Sequence, residues 1–106
     1  MTASALDGRV VLVTGAARGI GRGIGEACLA AGARVMLADL GSRAASAPPG
    51  PYAPSGADML LQAVAELEAT GEVRGTELDV TDPESCANAV ADTVHTWGRL
   101  HVVVNK

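Results

Sequence analysis

Thr14-Gly15-Ala16-Ala17-Arg18-Gly19-Ile20-Gly21 is the stretch of this chain whose residue types and spacing can do chemistry. It follows the apolar run Val10-Val11-Leu12-Val13, and an acid, Asp39, stands about twenty residues beyond Gly19. Gly15 permits a tight turn, Gly19 lets the backbone approach a pyrophosphate, and Gly21 lets the following helix lie close on the strand. At the start of that helix, unpaired amides and the positive end of the helix dipole favour an anion. Glycines at this spacing are weak evidence alone. A preceding strand, a following amphipathic helix and an acid closing the next strand together specify a dinucleotide site.

The elements that must position these residues are legible in the apolar periodicity. It predicts strands near Val10–Thr14, Arg34–Ala38, Arg74–Leu78 and Leu100–Val104, alternating with helices near Gly19–Ala31, Asp58–Thr70 and Pro83–Trp97. This βαβαβαβ order implies an α/β fold with a parallel sheet. Right-handed crossovers then give strand order 3-2-1-4, with the first two helices on one face, the third on the other, and the fourth strand as a bare edge. Helical spacing predicts buried stripes of Ile20, Ile24, Cys28 and Ala31, of Leu60, Val64 and Leu67, and of Cys86, Val90, Val94 and Trp97. Thr81 with Glu84 reads as a capping box for the third helix, with Asp82 and Pro83 in its first turn, and Gly32 and Gly71 read as helix stops. Residues 41–56 hold four of the five prolines and read as a loop inserted after the second strand.

Asp39, at the end of the second strand, is placed to accept hydrogen bonds from both adenosine ribose hydroxyls. That favours NAD over NADP, because a 2′-phosphate would stand beside the carboxylate, and each unit pair of like charges about 4 Å apart costs roughly 4 kcal/mol at an effective dielectric of 20. The 106 residues carry a net charge of -4 and no Lys/Arg cluster, which excludes nucleic acid and anionic membrane as partners. Neither a targeting leader nor an apolar span is legible, so the expected compartment is the cytoplasm. Cys28 and Cys86 read as small buried thiols, and His95 and His101 as solvent-facing.

The Thr14–Gly21 segment resembles the TGxxxGxG fingerprint of the short-chain dehydrogenases/reductases. Ala38-Asp39-Leu40, Leu78-Asp79-Val80-Thr81-Asp82 and Trp97-Gly98-Arg99-Leu100 with Val102 to Asn105 resemble the ends of the family's second, third and fourth strand regions. The resemblance covers the whole chain but only the first part of the family's seven-stranded, Rossmann-type domain, whose members run to about 250 residues. It implies that Gly15, Ala17, Arg18, Gly19, Ile20 and Gly21 surround the cofactor, that Leu40 borders the adenine, and that Asp79 and Val80 form the adenine-edge pair. Asn105 matches the first asparagine of the family's NNAG segment, whereas Lys106 stands where the second would be. His101 stands where the family often has Asp. Arg18 is the dissenting residue, since a basic residue before the middle glycine occurs in some NADP-preferring members.

The resemblance also implies an oxidoreductase that moves hydride between a nicotinamide cofactor and a small alcohol or carbonyl compound. Family catalysis rests on a serine and a Tyr-x-x-x-Lys pair. Here Tyr52, the only tyrosine, is followed four residues later by Gly56, and the only lysine is Lys106. Without a lysine nearby, nothing brings a phenol of pKa about 10 toward neutrality. The expectation is therefore the N-terminal, cofactor-binding part of a longer enzyme, residues 1–106 forming one NAD(P)-binding unit with no catalytic residue and no metal site of its own. The helices through which family members form homo-oligomers are outside this sequence. The alternative is a non-catalytic dinucleotide-binding module.

Overall fold

The computed structural model describes residues 6–17, 19–40 and 57–105. Arg18, Lys106 and the proline-rich segment 41–56 lie outside the described residues. Seven elements follow in order: β1 (Val10–Thr14), α1 (Gly19–Ala30), β2 (Arg34–Asp39), α2 (Ala57–Leu67), β3 (Val73–Glu77), α3 (Pro83–Trp97) and β4 (Val102–Val104). The strands form one parallel sheet in the order β3-β2-β1-β4. Val10 pairs with Arg34 and Thr14 with Ala38 at the two ends of the β1–β2 ladder, and Val11 to Val13 pair with Val102 to Val104. On the far side, Val35 to Asp39 pair with Val73 to Glu77. The βαβαβαβ order and the 3-2-1-4 strand order are those expected from the sequence.

β1 is buried along its whole length, as its unbroken run of Val and Leu demands of a parallel strand covered on both faces. On one face Val11, Val13, Val35 and Leu37 meet Leu29 of α1 and Leu60, Ala63 and Leu67 of α2. Leu12, Met36 and Ala38 point to the other face and meet Ala89 of α3, with Cys86, Trp97 and Leu100 around them. Two helices thus cover one side and one the other, as right-handed crossovers require.

Several local expectations need correction. The face of α1 turned to the sheet is Gly21, Gly25 and Leu29, while Ile20 is 69% exposed and Ile24 and Cys28 are only half-buried. In α3 the buried residues are Ser85, Ala89 and Thr93, whereas Val90 and Val94 are exposed and Cys86 and Trp97 half-buried. The cause is common to both: small side chains let a helix axis approach the sheet, and the larger apolar residues next to them, one position before in α1 and one position after in α3, are rotated to the flank. The buried hydroxyls of α3 are satisfied, Thr93 Oγ1 donating to the Ala89 carbonyl at 2.8 Å. The N-cap of α3 is Asp82 rather than Thr81, its carboxylate accepting from the Glu84 amide at 3.0 Å with Pro83 in the first turn. Gly98, at φ 82°, closes that helix. α2 stops at Leu67 and tightens into a turn through Thr70 N–H to Leu67 C=O, so β3 begins one residue early, at Val73.

The glycines of α1 separate two physical effects. A methyl at Gly23 would meet nothing within 4 Å, whereas one at Gly25 would sit 2.7 Å from Leu37 Cδ2, inside the core. Both substitutions by alanine gain the same helix propensity. We expect Gly23→Ala to raise stability by about 0.5–1 kcal/mol and Gly25→Ala to lower it by about 1–3 kcal/mol, read as opposite displacements of the urea midpoint. We also expect the amides of β4, where Val102 and Val103 are 41% and 53% exposed, to exchange with solvent deuterium faster than those of β1.

Candidate dinucleotide-binding site

Every strand carboxyl end points to one edge of the sheet, and there the chain places the residues singled out by sequence. Gly15 (φ 61°) and Gly19 (φ 65°) adopt left-handed backbone on either side of the turn that joins β1 to α1. Side chains rarely tolerate that region, so the turn depends on them. Gly21 has a different reason: a Cβ there would fall on the Gly15 carbonyl oxygen, with the Ala16 Cα 3.2 Å away. The first turn of α1 therefore packs on the glycine turn itself, and the close approach of α1 to the sheet falls to Gly25, which sequence spacing did not single out.

Asp39 ties this turn to the sheet. Its Oδ2 accepts from the Ala17 amide at 2.9 Å and its Oδ1 from its neighbour Leu40 at 2.7 Å. The Ala16 amide donates to the Ala38 carbonyl at 3.0 Å, so the turn is anchored twice to the end of β2. Each carboxylate oxygen accepts about two bonds, which leaves acceptor capacity on both for a pair of hydroxyls. Ile20, beside Gly19, is exposed at the mouth of the turn.

On the β3 side, the Leu78 amide donates to the Asp39 carbonyl at 2.6 Å and brings the next loop alongside. Asp79 Oδ1 accepts from both the amide (2.9 Å) and the hydroxyl (2.6 Å) of Thr81. Its own amide donates to Ser85 Oγ at 2.9 Å. Asp79 is thus also a turn-forming acid, and Ser85, missed by the sequence reading, is the buried hydroxyl that holds its backbone. Val80 is 58% exposed. At the end of β4, Thr14 Oγ1 donates to Asn105 Oδ1 at 3.1 Å and lies 3.4 Å from the Val104 carbonyl oxygen. Val80, Asn105 and Thr14 line one cleft of about 200 Å³ together with Leu12, Leu78, Cys86, Val90 and Val103. A larger cleft of about 480 Å³ lies at the outer edge of β3, between Val64, Glu68 and Trp97, away from the glycine turn.

Both cysteines are free thiols and half-buried, and burial pushes the Cys28 thiol up from its ordinary value. No group of three metal-ligating side chains occurs among the described residues, and no described helix is long and apolar enough to cross a membrane.

Residues 9–49 match the family model described as short chain dehydrogenase. The chain is 38% identical over 100 residues to the sorbitol dehydrogenase of Cereibacter sphaeroides, covering 94% of this chain and 32% of that protein. The chain belongs to the short-chain dehydrogenase/reductase family. Its fold superposes on the crystal structure of a short chain dehydrogenase from Mycobacterium smegmatis with a TM-score of 0.79 at 32% identity, over 97% of this chain and 38% of that one. A Pseudomonas aeruginosa RhlG/NADP active-site complex superposes with a TM-score of 0.78 at 25% identity, over 100% of this chain and 37% of that one. The chain thus spans about a third of the length of these short-chain dehydrogenase relatives. Their shared portion is the Rossmann-type parallel sheet with its helices, and the family binds a nicotinamide cofactor, NAD or NADP.

Replacing Ser85 by Ala removes the acceptor of the Asp79 amide without changing the packing volume of α3 appreciably. Ser85 is only 7% exposed, so water replaces the bond poorly. The expected cost is about 1–3 kcal/mol in urea unfolding, and a change below a few tenths would show that the Asp79 turn stands without it.

Proposed function

We propose that this chain is the NAD-binding portion of a short-chain dehydrogenase/reductase that moves hydride between the cofactor and a small alcohol or carbonyl substrate. The observation that carries the reading is the Asp39 carboxylate at the end of β2, bonded to the Ala17 amide of the glycine turn. Gly15, Ala17, Gly19, Ile20 and Gly21 would line the pyrophosphate, Asp39 the ribose, Leu40, Asp79 and Val80 the adenine, and Asn105 the far side of β1. Arg18 is the residue that would pull toward NADP. When bound, the nicotinamide supplies the hydride donor or acceptor.

What the chain's own residues do is bind and orient. The turn presents amides at the N-terminal end of α1, where a diphosphate gains from both the unpaired donors and the helix dipole. The carboxylate of Asp39 selects against a second negative group on the ribose. Its bond to Ala17 fixes the distance between the ribose position and the pyrophosphate turn, so one residue sets both cofactor choice and the shape of the cradle.

Fluorescence titration tests the cofactor reading. NADH is expected to bind at least tenfold more tightly than NADPH, and Asp39→Ala to narrow the gap mainly by weakening NADH, since a hydrogen bond to a charged acceptor contributes roughly 1.5–3 kcal/mol. Equal or tighter NADPH binding by the unaltered chain would give the specificity to Arg18 instead.

A second reading is a dinucleotide-binding module without turnover, and within these 106 residues Tyr52 and Lys106 form no Tyr-x-x-x-Lys pair under either reading. The two readings agree on these 106 residues taken alone. Purified chain is expected to show no NAD-linked oxidation of simple alcohols above a Gly15→Trp control, because positioned proton transfer by itself contributes typically 10²- to 10⁴-fold. Turnover above that control would place catalytic groups within this chain. For the protein as a whole, an in-frame Tyr-x-x-x-Lys in the coding sequence after Lys106 decides for the enzyme.

A further inference from the structure

The amino end of the β1–β4 pair is closed by a side chain. The Val10 amide donates to Nδ1 of His101 at 2.9 Å, while the His101 amide donates to the Val10 carbonyl at 3.0 Å. Val10 is fully buried whereas His101 is exposed, so the ring is the group that stands between the Val10 amide and solvent. β4 is only three residues long, and the second side-chain tie, Thr14 to Asn105, lies at its other end. The strand that leads to Asn105 is therefore held by a short ladder and by side-chain bonds at both of its ends.

The bond to Nδ1 exists only for neutral imidazole. A protonated ring carries N–H on both nitrogens and turns a donor toward the Val10 donor. Histidine side chains change charge between about pH 5 and 8. Among the described residues, the ionisable groups at this end of the molecule are Asp7 and Arg9 before β1, Arg34 at the start of β2 with its ion-pair partner Glu72, and His95 and Arg99 around the end of α3. Among the described residues, none of these groups makes a hydrogen bond or ion pair with the His101 ring.

We infer that His101 is a proton-released clamp on β4: neutral, it holds the buried Val10 amide and closes the β1–β4 pair, and protonated, it lets that end open. Protonation removes the lone pair that accepts the Val10 amide, so the clamp's contribution is present at the alkaline side and lost as pH falls.

The test is hydrogen exchange at the Val10 amide in the full chain, expressed as a protection factor to remove the intrinsic pH dependence. Protection is expected to fall about tenfold between pH 8 and pH 5.5. His101→Asn, whose side-chain oxygen accepts at every pH in the range, should hold protection level within about twofold. His95→Gln should follow the unaltered chain. His101→Ala should be poorly protected at both pH values, and if that variant does not fold, the asparagine variant still decides. A pH-independent protection factor in the unaltered chain, or a parallel fall in His101→Asn, overturns the inference.

Discussion

The molecule depends on how tightly the chain reverses at the carboxyl end of β1. Gly21 packs where a side-chain carbon would strike the Gly15 carbonyl, and the same turn is pinned to β2 through Ala16 N–H to Ala38 C=O and Ala17 N–H to Asp39. A bulkier residue at Gly21 would push α1 off the turn. The helix could then no longer keep Gly25 against Leu37 and Leu29 in the first core cluster. Backbone sterics at one reversal thus set the helix position, the packing of one sheet face and the geometry of the cradle together.

The two faces of the sheet are built differently. α1 and α2 bring leucines onto one face, whereas α3 meets the other with Ser85, Ala89 and Thr93 and leaves Val90 and Val94 exposed on its flank. Small residues permit a close axis, and the cost is that less apolar area is covered, at about 25 cal/mol per Å². Buried hydroxyls on that face are tolerable because each has a partner, Thr93 on the helix backbone and Ser85 on Asp79. Ser85 thereby joins packing to the site: a residue chosen for closeness also sets the loop that carries Asp79 and Val80.

Membership of the short-chain dehydrogenases/reductases rests on the glycine turn and on a sheet shared with relatives over nearly the whole chain. Asp39 is architectural in the structure itself. Its carboxylate organises two amides and retains acceptor capacity, and under the proposed function the same group would also choose the cofactor.

Much of this was legible in the residues alone. The order of elements, the strand order 3-2-1-4 and the gathering of Gly15, Gly21, Asp39, Asp79 and Asn105 near one sheet edge follow from apolar periodicity, glycine spacing and the handedness of parallel crossovers, all of which act locally or by general rule. Which face of a helix turns inward was not legible. Periodicity places the largest apolar residues inside, but α1 and α3 bury Gly25 and Ala89 instead, because the distance between helix and sheet is settled by what the sheet already presents. The bond of Asp39 to the Ala17 amide, the hold of Ser85 on Asp79 and the imidazole on the Val10 amide join residues 22, 6 and 91 positions apart. Spacing can nominate such residues, but donor and acceptor meet only when packing brings the chain segments together.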